Sequence, residues 1–92
     1  MGYCRLKESE VQMNKISIPH TVKEDLFFYV EKLEEEVEEL KQGLMNDDLE
    51  NIGEECFDVI QCAVNLLRFF KLDIEKENMK HIGKLRERGK II

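Results

Sequence analysis

Apolar residues recur along this chain at helical spacing. From Val22 to about Leu44, the residues Leu26, Val30, Leu33, Val37, Leu40 and Leu44 follow one another at alternating steps of four and three, the period of a helix seam. Twenty-odd residues at about 1.5 Å rise make a rod of roughly 33 Å. Thr21 with Glu24 has the form of a capping box at its start, and Gly43 with the polar run Asn46-Asp47-Asp48 marks its end. A second helix, about 48–71, is opened by Asp47 with Glu50 and carries the seam Leu49, Ile52, Cys56, Val59, Ala63, Leu66 and Phe70. It also bears a second apolar row, Phe57, Ile60, Val64 and Leu67, so it needs cover on more than one side. Asp73 caps a third helix over about 74–88, closed by Gly89 in the left-handed conformation. Residues 1–20 read as an irregular segment. Glu8 to Asn14 fits a short helix, whereas Ile16 to His20 is extended because Pro19 pushes Ile18 out of the α region.

The pattern predicts an all-α fold of antiparallel helices in one domain over 1–92. One Pro and five Gly leave little turn chemistry for a β-rich alternative. Two long helices and a short one cannot cover this much apolar surface alone, so a four-helix-bundle core completed by oligomerisation, as a dimer or tetramer of the chain, is expected.

Composition narrows the function. A chain of 92 residues buries only about 60–65% of its unfolded surface, which makes its own core marginal. Its net charge of −6 argues against a nucleic-acid binder that works by bulk charge. There is no apolar stretch of the roughly 18 residues that a membrane span needs. The first residues lack the apolar core of a secretory signal, and Leu6 stands where a myristoylation motif needs Ser or Thr. Three cysteines without a CxxC pair suit a reducing compartment, so a cytoplasmic location is expected.

The candidate chemistry lies in the acids. Six of the ten residues from Glu31 to Leu40 are Glu, and such a run is ordinarily a solvated face. Rotation by about 100° per residue nevertheless separates them. Glu36 and Glu39 share a face bordering the core, with Glu36 about 80° from the seam centre, whereas Glu35 and Glu38 point mainly to solvent. On the second helix, Asn51, Glu55, Asp58, Cys62 and Asn65 form a polar stripe along an otherwise apolar rod. Antiparallel packing across the short loop would bring Glu36 and Asp58 to heights that match to within about a turn, and four carboxylates would then converge. Two carboxylates about 4 Å apart repel by roughly 4 kcal/mol at an effective dielectric of about 20. A hard divalent cation such as Mg²⁺ is the natural counter-charge.

Glu36-Val37-Glu38-Glu39 followed by Glu55-Cys56-Phe57-Asp58 gives ExxE…ExxD on consecutive helices. With Lys32 to Leu40 as a first motif helix, Glu54 to Gln61 and Asn65-Leu66-Leu67 as a second, and the tail His81 to Gly89, the chain resembles the MazG-like nucleotide pyrophosphohydrolases. These form the all-α NTP pyrophosphatase superfamily, and the likeness is to its short, often phage-type members. It runs from about Ile18 to Ile91. Glu38 departs from the pattern, because the family often has a small residue there. The resemblance implies hydrolysis of a nucleoside triphosphate to the monophosphate and pyrophosphate, with Mg²⁺ (or Mn²⁺ in its place) held by Glu36, Glu39, Glu55 and Asp58.

A bound triphosphate then needs further cations. Lys84 and Arg88 share one face of the third helix with His81 and suit phosphate oxygens, although cations are also favoured at a helix end for its dipole. Lys32 is either a phosphate contact or an i, i+4 partner of Glu36. Glu35 is the nearest spare carboxylate for a general base, and Asn65 on the acid stripe is a candidate for base recognition. Cys56 reads as a small buried hydrophobe, and Cys62 lacks a partner base that would make it a nucleophile. The competing expectation is a non-enzymatic helical bundle, an adaptor whose acidic face only solubilises it or docks a basic partner.

Overall fold

The computed structural model describes residues 16–91. The expected short helix at Glu8–Asn14, most of the irregular N-terminal segment and Cys4 lie outside that range. The described residues are all-helical, with no strand: α1 is Leu26–Met45, α2 is Leu49–Phe69 and α3 is Ile74–Glu87. Two compact units result. Ile18–Leu72 holds α1 and α2, and α3 lies in the other.

Helix ends follow local chemistry, with two corrections. Asp25, not Thr21, caps α1; its carboxylate accepts the Phe28 N–H at 2.8 Å, so the helix begins at Leu26 and the expected start at Val22 is four residues early. Asp47 does not cap α2. It sits at φ 53°, and Asp48 occupies the cap position without a side-chain cap bond, accepting instead from the Asn51 amide at 2.9 Å. Asp73 caps α3 as expected, accepting from the Lys76 N–H at 3.1 Å.

All three helices close by the same device. A residue in the left-handed region, Asp47, Lys71 or Gly89, lets the next N–H return to the carbonyl five residues back. The three bonds are Asp48 to Gly43 at 3.0 Å, Leu72 to Leu67 at 2.9 Å and Lys90 to Leu85 at 2.8 Å. Only Gly89 of the three is a glycine. Gly43 does not end α1; it lies inside the helix, and its carbonyl receives the closing bond.

Within Ile18–Leu72, α1 and α2 form an antiparallel hairpin, and its interface is not the leucine seam. The buried residues of α1 are Tyr29, Glu36 and Gly43, one heptad apart. They face Phe69, Cys62 and Glu55 on α2, likewise one heptad apart. The Tyr29 and Phe69 rings meet edge-on at 5.5 Å at the open end. Glu36 and Cys62, 7% and 6% exposed, form the middle layer, and Gly43 lies against Glu55 near the turn.

This line runs about 80° round α1 from the seam centre, and the α2 line is rotated from its own seam by a similar angle in the same sense. In an antiparallel pair equal rotations carry both seams to the same side of the hairpin. That side stays largely open: Val30, Val37 and Leu44 on α1, and Leu49 and Phe70 on α2, are exposed, Leu49 by 80%. Cys56, expected to be buried in the seam, is only half-buried.

A candidate acidic metal centre

Burial of a carboxylate in the middle layer of a two-helix hairpin needs compensation. Glu36 finds part of it from its own helix, where the Lys32 ammonium lies 3.1 Å from Glu36 Oε1 and 3.2 Å from Glu35 Oε1. This i, i+4 pairing is one of the two roles open to Lys32. The two carboxylates hold the Lys32 ammonium above its ordinary pKa, chiefly through the Glu36 hydrogen bond.

The remaining acids crowd the same place. Glu35, Glu36 and Glu39 each offer one carboxylate oxygen within 4.8 Å of the others. The Glu36 charge pushes the Glu39 carboxyl above its usual range although Glu39 is itself exposed. Across the interface Asp58 is pushed up too, first by desolvation and then by the charge of Glu36. The Asp58 side chain keeps access to solvent, so the desolvation is that of a group on the wall of a cleft. The Cys62 thiol is raised by burial and by Glu36, which keeps it protonated and unreactive.

Glu36 lies level with Cys62, and Asp58 sits one turn nearer the loop, within reach of the Glu36 charge. Of the four expected ligands, Glu36 and Glu39 fall in the three-glutamate group, and Asp58 and Glu55 do not. Glu55 is seated nearer the turn. Its Oε1 is buried without a hydrogen-bond partner and rests against the Gly43 backbone, where a Cβ would overlap it. Glu35, the carboxylate expected to be spare, is exposed, pairs with Lys32 and is gathered with Glu36 and Glu39.

Two of these acids, Glu36 and Asp58, line one side of a cleft of about 310 Å³, at the small end of ligand sites. Lys32, Glu36, Asp58, Cys62 and Asn65 form its helical walls. Asn65 is fixed by the Gln61 amide, which donates to its Oδ1 at 2.9 Å. The other side is a strap of irregular chain, with Thr21, Val22 and Glu24 lining the cleft.

The strap is tied down by α2. Arg68 donates to the carbonyls of Pro19 at 2.7 Å and Ile18 at 2.8 Å, Gln61 donates to Pro19 at 2.9 Å, and the Glu24 N–H donates to the Tyr29 hydroxyl at 2.9 Å. Gln61, Arg68 and the strap were not among the expected site residues. The available signal was the seven-residue spacing of Gln61 and Arg68 on one helix face beside an extended Ile18-Pro19.

His81 and Lys84 are exposed on the C-terminal half of α3, and Arg88, also exposed, is its C-cap residue. They belong to the other compact unit. The acids suit a hard divalent cation in their chemistry: oxygen donors only, one of them a buried oxygen with no partner, and two carboxyls raised, Glu39 chiefly by the charge of Glu36 and Asp58 by desolvation first and by Glu36 second. No family model, no curated protein and no solved structure matches the chain.

Proposed function

We propose that the chain is a Mg²⁺-dependent nucleoside triphosphate pyrophosphohydrolase, converting an NTP or dNTP to the monophosphate and pyrophosphate in the manner of the MazG-like enzymes it resembles. The observation that carries this reading is Glu36. A carboxylate only 7% exposed sits where two helices meet, with Asp58 opposite and Glu39 one turn away. Lys32 supplies one positive charge, and several acids remain. A bundle would not retain such a group unless a cation used it. A solubilising acidic face, the adaptor alternative, needs no buried member.

Glu36, Glu39, Glu55 and Asp58 would hold the ion, Mg²⁺ or Mn²⁺. When bound, a divalent ion polarises phosphoryl oxygens and lowers the pKa of a bound water. Glu36 fixes the centre of the site by its burial, and Lys32 sets the Glu36 and Glu35 orientations. Asn65 and the strap residues Thr21 and Val22 enclose the nucleotide and limit water.

The open apolar side of the hairpin supports the second part of the reading, that two copies pair through their seams into a four-helix bundle with the acidic clefts facing outward. Val37, Leu44 and Leu49 are too exposed for a lone hairpin to be the working form. A cytoplasmic role in nucleotide-pool housekeeping fits such an activity.

The test is a contrast between Asp58→Asn and Glu34→Gln in a screen of nucleotides with phosphate and pyrophosphate detected separately. Each removes one negative charge. Asp58→Asn keeps the shape but loses the charge that holds a divalent ion, so turnover should fall by orders of magnitude. Glu34 lies on the exposed face, and its loss should leave turnover within a few-fold. Near wild-type hydrolysis by folded, oligomeric Asp58→Asn would falsify the site.

A further inference from the structure

A second cleft, of about 300 Å³, adjoins the acidic one and shares Thr21, Glu24 and Asn65 with it. Its other walls reverse the charge. Lys23, Arg68 and Lys71, with His20, surround a floor made by Tyr29 and Phe69. The chain carries a net charge of −6, yet three permanent cations gather here against the single carboxylate of Glu24. Among the described residues, ion pairs engage Lys32 and Lys80, and none of these three cations.

Arg68 donates to the Ile18 and Pro19 carbonyls, neutral acceptors that fix its guanidinium without cancelling its charge. The floor is held as firmly, with the Tyr29 hydroxyl accepting from Glu24 and its ring set edge-on against Phe69. Arg68 and Lys71 lie at the C-terminus of α2, where its dipole favours cations in any case. Lys23 comes from the strap, and no dipole accounts for its place.

We propose that this cationic cleft binds the two terminal phosphates of the nucleoside triphosphate whose scissile end lies among the acids of the neighbouring cleft. The inference rests on the hydrolase reading and adds to it the seat of the leaving group. A polyphosphate passing from the acids along Thr21 and Asn65 exchanges a metal-binding wall for a cationic one. Charge-assisted bonds from Lys23, Lys71 and the remaining donors of Arg68 then replace its hydration. The strap thereby does two things: its backbone orients Arg68, and its Lys23 contacts the ligand.

The experiment is calorimetric titration of inorganic pyrophosphate into the full chain, with and without Mg²⁺. The variants are Lys23→Gln, Lys71→Asn (asparagine tolerates the positive φ of 55° at this position), their double, and Lys41→Gln on the exposed surface of α1 as a charge control. Each cleft variant should bind pyrophosphate about tenfold more weakly and the double more weakly still. Lys41→Gln should stay within about twofold, and nucleoside monophosphate affinity should be unchanged throughout.

Unaltered pyrophosphate affinity in the double variant, or equal weakening by Lys41→Gln, overturns the proposal; the latter would mean diffuse attraction. Mn²⁺ binding followed by electron paramagnetic resonance separates the two readings. It should be lost in Asp58→Asn and kept in the lysine variants. If the wild-type chain binds no Mn²⁺, the hydrolase reading fails, and the metal-free pyrophosphate titration still decides the cleft.

Discussion

Replacing Gly43 by alanine should make the metal-free protein more stable and the enzyme worse. Gly43 lies inside α1 at ordinary helical φ, where glycine costs about 1 kcal/mol relative to alanine through its greater unfolded-state freedom. The new methyl group would meet one thing, the carboxylate end of Glu55, with Oε1 in outright overlap and the next atom at 3.4 Å. No backbone stands in the way. The end of a glutamate side chain rotates out of the slot at little cost, and the buried, unpartnered Oε1 then reaches water. The propensity gain should therefore survive, as about 1 kcal/mol of added stability, or about 4–8 °C in the unfolding midpoint of a domain this size. The same movement takes a proposed ion ligand from its place. Displacement of a ligand by loss of its support typically weakens metal affinity or activity about 10–100-fold. Thermal unfolding in chelator, Mn²⁺ titration and nucleotide hydrolysis on one preparation give all three numbers. A midpoint lowered by several degrees would mean that the helices moved apart instead of Glu55. Unchanged metal affinity at raised stability would show that the Gly43 slot has no part in the site.

The raised carboxyls of Asp58 and Glu39 bind protons more tightly in the folded than in the unfolded chain. Their contribution to stability is therefore full below the ordinary values of 3.8 and 4.5 and is lost as pH rises through the folded values. Denaturant melts in chelator should show wild type losing stability across that window relative to Asp58→Asn, and a parallel course for the two proteins removes the repulsion argument. Millimolar Mg²⁺ should raise the unfolding midpoint much more than NaCl of matched ionic strength, since saturation about a hundredfold above Kd adds about 2.7 kcal/mol; equal effects would indicate simple screening. Light scattering should give at least twice 10.9 kDa at micromolar concentration, and Val37→Glu on the open apolar side should reduce it to the monomer mass. A wild-type chain that is monomeric and stably folded defeats the bundle.

Local patterns determined much of this protein directly from sequence. Three helices, their approximate extents, the Asp73 cap and the Gly89 close were legible because hydrophobic period and capping act within one or two turns. The position of Glu36 beside the core was legible for the same reason, as an angle on a wheel. Tertiary structure decided the rest. Helix α1 starts at Leu26 because the preceding strap is held by Arg68 and Gln61, more than forty residues on, so the local Thr21–Glu24 signal loses to distant bonds. The hairpin closes along Tyr29, Glu36 and Gly43 against Phe69, Cys62 and Glu55, not along the leucines. An aromatic pair fills one end of that line, and the missing Cβ at the other admits the Glu55 carboxylate. That choice buries a carboxylate, leaves the seams facing outward together and opens two clefts of opposite charge side by side. A period along one helix states which residues share a face. Which face meets a neighbour depends on the shape and charge of both, and that is a property of the folded pair.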